Sequence, residues 1–280
     1  MGVVLALMAA LAYGASDFMA GVASRRVAAL PVSVLAGATA LVTVSATLPF
    51  LSGHGLDQRA FWYGALAGIG GAVGTLMLYR GLAAGQMSVV APLSAVGAAA
   101  VPVIVGLATG ERPSALALTG LLLALPAIGL ISTTPGGGGE RRAGMASGVL
   151  DGLAAGCGFG LLFVGLGKAG SGSGLWANAV EQLVALLILL GLAGARRVPL
   201  RLPAGARLQV VAVGVLGGAA TSLFLVSTHH GLLSVSAVLT SLYPASTVLL
   251  AWLLLRERLS RPQLAGLGWA ATAVVLIALG

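Results

Sequence analysis

Apolar stretches of about twenty residues, enough to cross a bilayer, recur along this chain from one end to the other, with most of the charges standing between them. Few folds tolerate that pattern. Inside hydrocarbon no water is at hand, so each stretch must satisfy its own backbone donors and acceptors, which a helix does within itself. Strands would need a closed barrel with polar positions alternating along every segment, and these runs do not alternate. A soluble globule fails on surface. Only 8% of the residues are charged, against about 25% in an ordinary soluble domain. The fold class read here is therefore an all-α polytopic membrane protein. Its ten predicted spans are 2–23, 32–50, 61–82, 86–107, 115–133, 146–167, 175–193, 208–228, 231–254 and 262–279.

Other signals are weaker. The net charge of +8 comes from bases dispersed between apolar runs, with no continuous stripe to track nucleic acid. Met1 to Ala12 lacks Lys and Arg, so the first run reads as a retained span rather than a signal peptide. Cys157 is a lone cysteine, which excludes an intrachain disulfide or a cysteine metal cluster, and it reads as small-residue packing. No metal or cofactor motif is expected. The glycines suit close helix contacts.

Between the fifth and sixth spans, Pro135-Gly-Gly-Gly-Gly-Glu-Arg-Arg-Ala-Gly144 forms a connector that divides the chain nearly in half. The halves match at a constant offset of 146. Ser88-Val89-Val90-Ala91 aligns with Ser234-Val235-Ser236-Ala237, Glu111-Arg112-Pro113-Ser114 with Glu257-Arg258-Leu259-Ser260, and Gly71 and Thr75 with Gly217 and Thr221. We read a first repeat over 1–134, a connector over 135–145 and a second repeat over 146–280. Five spans per repeat is an odd number, so the second enters from the opposite side. The result is two inverted five-helix repeats, a plan suited to alternating access.

Loop charge orients the chain. One side carries Arg25, Arg26, Arg80, Arg141, Arg142, Arg196, Arg197, Arg201, Arg207, Arg256, Arg258 and Arg261; the other carries Arg59, Arg112 and Lys168. Arginine-rich loops favour the cytoplasm, so both termini are expected on the non-cytoplasmic side.

Several segments resemble the EamA-type members of the drug/metabolite transporter superfamily. They are Tyr13-Gly14-Ala15-Ser16-Asp17-Phe18, Tyr79-Arg80-Gly81-Leu82, Ser88-Val89-Val90-Ala91-Pro92, Gly110-Glu111-Arg112-Pro113-Ser114, Ser241-Leu242-Tyr243-Pro244 and Arg256-Glu257-Arg258-Leu259-Ser260. The resemblance covers essentially the whole chain and implies ten helices in two repeats, with transport of small organic compounds. Family members commonly keep both termini in the cytoplasm, against the charge reading of this chain.

Ionisable residues inside spans must find a partner or water. Asp17 lies well inside the first span, where a carboxylate could exchange a proton or attract a cation, or else bond to a nearby helix or pair with Arg80. Asn178, Glu181 and Gln182 are spaced i, i+3 and i+4, so they share one face of the seventh span. Such a face should point toward a cavity or bond between helices. Tyr79, Ser94, Trp176 and Tyr243 are weaker lining candidates. Asp151 is read as balancing the arginine-rich face, His229 and His230 as exposed turn residues, and Glu111 and Glu257 as local turn and salt-bridge residues.

These features together predict a secondary carrier of a small organic solute, embedded in the cell membrane and working by alternating access. Proton coupling through Asp17 and Glu181 and an export direction are further expectations. The alternatives are a channel, for which no charged ring is present, or a membrane enzyme, for which no nucleophile–base set is recognisable.

Overall fold

The computed structural model describes residues 1–24, 27–51, 53–84, 87–132, 142–255 and 259–280. Arg25, Arg26, Gly85, residues 135–141 of the connector, and Arg256, Glu257 and Arg258 lie outside the described residues. The helices follow the apolar runs. They are α1 (Gly2–Ser24), α2 (Ala29–Leu51), α3 (Gln58–Ala83), α4 (Met87–Ala108), α5 (Ala115–Ile131), α6 (Arg142–Lys168), α7 (Trp176–Ala195), α8 (Ala204–Thr228), α9 (Leu233–Thr240), α10 (Tyr243–Leu255) and α11 (Arg261–Leu279). Eight stretches of 19–24 residues are long and apolar enough to cross a bilayer, and the shorter Leu93–Ala108 and Ala115–Ile131 complete ten. Large apolar side chains such as Ile104, Leu122, Leu187 and Leu253 point outward, as lipid-facing surface requires. The chain is an all-helical multi-pass membrane protein.

The helix ends fall within four residues of the predicted spans, and two differences stand out. The expected connector ran to 145, but α6 already begins at Arg142. The ninth span is broken between α9 and α10. Pro244 has no N–H to give the carbonyl of Thr240, and the chain there switches to three-residue bonds, Leu242 N to Leu239 O and Ala245 N to Leu242 O.

Contacts between loops sort the helix ends onto two faces. On one face, His54 N donates to Gly172 O (2.8 Å) and Leu175 N to Leu51 O (3.0 Å), joining the 2–3 and 6–7 loops. Lys168 Nζ reaches Thr109 Oγ1 (2.6 Å), and Arg59 Nε donates to Lys168 O (2.8 Å). Gly2 lies against His230 O and Gly280 against Ser114 Oγ, so both termini belong to this face. The opposite face holds the bidentate pair of Arg80 with Asp151 and the bond from Gln209 Nε2 to Met19 O (2.7 Å). Arg80, Arg207 and Arg261 lie toward that second, arginine-rich face.

Among the described residues, the most extensive helix interfaces join residues before the connector to residues after it. α3 packs on α6 and α7, α1 on α8, α9 and α10, α4 on α6 and α9, α2 on α7 and α8, and α5 on α11. The offset of 146 exchanges these pairs: α1 with α8 becomes α6 with α3, and α2 with α8 becomes α7 with α3. It also holds between residues. Gly120 packs on Ala273 and Ile277, and its counterpart Gly266 packs on Ile131.

Candidate functional site

Helices that cross closely need small residues at the crossing, and where they diverge a space opens. Gly214 of α8 lets α2 approach so closely that a Cβ there would collide with Thr39 Oγ1 and the Ala36 carbonyl. On the other side of the bundle, a Cβ on Gly71 of α3 would stand 2.8 Å from Glu181 Oε1. Between these crossings lies a cavity of about 100 Å³, bounded by α1, α2, α3, α6, α7, α8 and α10, with room for several waters or part of a small solute.

The cavity occupies the middle of the bundle and extends toward the arginine-rich face. Tyr79 and Ser33 sit about one turn from the ends of α3 and α2 that carry the arginines, while Asp17 and Gly214 lie deeper, about two turns from the end of α1 and near the middle of α8, and all four line it. Those helix ends belong to the arginine-rich face. Toward the termini face the loop bonds described above close the bundle.

Of the residues singled out from sequence, Asp17, Tyr79, Glu181, Gln182 and Tyr243 all line this one cavity. Asp17 has no hydrogen-bond or ion-pair partner among the described residues. The alternative pairing with Arg80 is absent because Arg80 is taken by Asp151, which is 5% exposed. Asp151 therefore anchors a specific inter-helix pair rather than balancing a charged face in general. Glu181 is buried, and the residues behind it form a polar relay. With its amide turned so that both ends are satisfied, Asn178 donates to Glu181 Oε2 (3.1 Å) and accepts from Ser222 Oγ (2.9 Å). Gln182 Nε2 donates to Thr221 Oγ1 (3.2 Å), which in turn donates to Gly218 O (3.0 Å).

Three candidates lie outside the lining. Asn178 is fully buried behind Glu181. Ser94 is fully buried too; its Oγ donates to Ala91 O (3.0 Å) and lies 3.5 Å from Tyr243 Oη, so it braces that ring from behind. Trp176 opens α7, one turn too far toward the termini face to reach the cavity.

Other residues line the cavity without having been singled out. Tyr13, Phe159 and Phe163 add aromatic walls, and Ser16, Ser33, Thr75 and Thr221 add hydroxyls. Tyr13 packs edge-on to Phe163 (6.1 Å between centroids) and tilted on Tyr243 (6.2 Å). Thr75 and Thr221 carried a signal, since they are partners at the offset of 146. The side chains of Arg, Lys and His are absent from the described lining.

Outside the cavity, three expectations change. Cys157 is exposed on the outer face of α6 rather than packed inside. His229 is half-buried at the end of α8. Burial, aided by neighbouring His230, lowers its pKa, and a bond involving the Gly170 backbone works the other way. Glu111 does more than shape its own turn. Its carboxylate reaches across to α9 and accepts from Leu233 N (2.8 Å) and Ser234 N (3.0 Å).

Comparison with known proteins places this architecture. Residues 146–279 match the EamA-like transporter family. A solved structure described only as "Crystal structure of protein" superposes with a TM-score of 0.78 at 17% identity, covering 99% of this chain and 96% of its own, which establishes the shared fold. No curated protein matches the chain. With ten apolar helical stretches around an internal cavity, the chain is a multi-pass membrane protein whose residues 146–279 are similar to the EamA-like transporter family, a family of membrane transporters.

Proposed function

We propose that this protein is a secondary carrier that moves a small organic solute by alternating access, with Asp17 and Glu181 as its proton-exchanging groups. One observation carries the reading: a carboxylate from before the connector and another from after it line the same internal cavity. A carrier must bind at a site both membrane faces can reach in turn, and a seam between two repeats provides one. The exchange of helix pairs under the offset supports reading 1–134 and 146–280 as inverted repeats around that seam. A carboxylate without a partner, withdrawn from bulk water, is suited to gain and lose a proton as its access changes. On this reading the arginine-rich face is cytoplasmic, both termini are outside, and the cavity is the inward-facing site. Flux of candidate solutes in proteoliposomes, with and without a pH gradient, tests the reading. Solute flux that is saturable and accelerated by the gradient is expected. Flux indifferent to the gradient would remove the coupling, and large single-channel currents would replace the carrier by a channel.

A further inference from the structure

We infer that the cavity selects a small organic monoammonium ion with an aromatic or compact apolar body, the ammonium seated on Asp17 and the body among the tyrosine rings. This deepens the carrier reading and rests on it for transport, though not for binding. The cavity holds two carboxylates, Asp17 and Glu181, and no basic side chain among its described lining. Glu181 is engaged from behind by the Asn178 amide, whereas Asp17 has no partner among the described residues. An anionic solute would enter against two acids in a medium that screens them poorly. A cation would meet an unpaired carboxylate.

The remaining lining fits an ammonium with N–H donors in particular. Ser33 is 1% exposed and lines the cavity, and its Oγ has no hydrogen-bond partner among the described residues. The Tyr13 hydroxyl is buried without a partner as well. Buried hydroxyls left open in this way are costly unless something bonds them. An ammonium has three donors and no acceptor, so one N–H can go to the Asp17 carboxylate and another to such an oxygen. The rings of Tyr13, Tyr79 and Tyr243 then offer faces to the cation and apolar area to the body.

Three probes of nearly equal shape test the inference on the purified full-length protein: 2-phenylethylammonium, the neutral 2-phenylethanol and the anionic 3-phenylpropionate. Calorimetry should show saturable binding of the ammonium, with the alcohol weaker by about tenfold or more and the carboxylate weaker still. Asp17→Asn should weaken the ammonium by about tenfold or more and leave the alcohol nearly unchanged, with an unaltered melting midpoint showing that the variant is folded. Ser33→Ala should weaken the ammonium more than its N-trimethylated form, which has no N–H to give. Equal or tighter binding of 3-phenylpropionate overturns the inference, as does failure of folded wild-type protein to bind the ammonium, or an Asp17→Asn affinity equal to wild type. Counterflow in proteoliposomes separates the two readings. Binding without exchange removes the carrier and keeps the ligand class, and exchange of neutral or anionic solutes without ammonium binding does the reverse.

Discussion

Glu111, in the loop after α4, holds the first turn of the neighbouring α9, with Oε1 2.8 Å from Leu233 N and Oε2 3.0 Å from Ser234 N. An anion at a helix N-terminus meets unpaired N–H groups and the positive end of the helix dipole. Removing it strands two donors. Glu111→Ala should lower stability by about 1–3 kcal/mol, measured as a fall in unfolding midpoint in detergent, and Glu111→Gln by less, since it keeps one acceptor. Equal midpoints for wild type and Glu111→Ala would show that the cap contributes nothing.

Arg80 and Asp151 offer a second test. Asp151 is buried while the Arg80 side chain is 56% exposed, so solvent screens one partner. A double-mutant cycle should give a coupling of about 1 kcal/mol, weakening as salt rises. Arg80→Ala should cost more than the coupling, because it leaves the Asp151 carboxylate buried and alone.

The offset pairs Gly71 with Gly217, yet the two positions should respond oppositely to alanine. At Gly71 a Cβ meets Glu181 Oε1 at 2.8 Å and Leu162 Cδ1 at 3.0 Å; at Gly217 its nearest neighbour is Ser16 Oγ at 3.9 Å. Gly71→Ala should destabilise by about 1–3 kcal/mol through overpacking and impair transport by moving Glu181. Gly217→Ala should be neutral, or stabilising by up to about 1 kcal/mol through helix propensity. Thermal midpoints of the two variants decide the matter.

Asp17→Asn and Glu181→Gln should each remove the acceleration of solute flux by a pH gradient, by about tenfold or more, while leaving solute exchange at equal pH measurable in at least one of them. Gradient-driven flux that survives both substitutions would assign the coupling elsewhere.

Sidedness can be read with thiols. Cys157 lies on the outer face near the middle of α6, where an impermeant reagent in water does not reach it. In a Cys157→Ser background, a cysteine added at either terminus should be labelled from outside intact cells. Labelling only after permeabilisation would invert the orientation proposed above.

Much of this was legible in the sequence because the bilayer leaves a chain so few choices. The ten apolar runs became ten helical stretches, and the spacing of Asn178, Glu181 and Gln182 did mark one polar face of α7. The break before Tyr243 was not read, although Pro244 was in view, because proline is tolerated inside other spans of this chain, such as Pro49 in α2 and Pro126 in α5. Tyr13, Phe159 and Phe163 also escaped. An aromatic residue in a uniformly apolar helix carries no phase, and only the packing of α1 on α8 and of α6 on α3 turns those rings inward. Ser94 and Trp176 failed for the complementary reason, since polarity and size along one helix do not tell the cavity wall from the layer behind it.

The interlocking of helices across the connector has a consequence for how the protein is made. Among the described residues the most extensive interfaces all join helices from opposite sides of the connector, so the newly inserted helices α1–α5 have little to fold against. These spans must wait, individually stable in lipid but unassembled, until α6–α11 arrive to pack between them. The small residues that later become tight crossings stay open to other proteins in the meantime. The bundle can therefore close only after the spans on both sides of the connector are in the membrane.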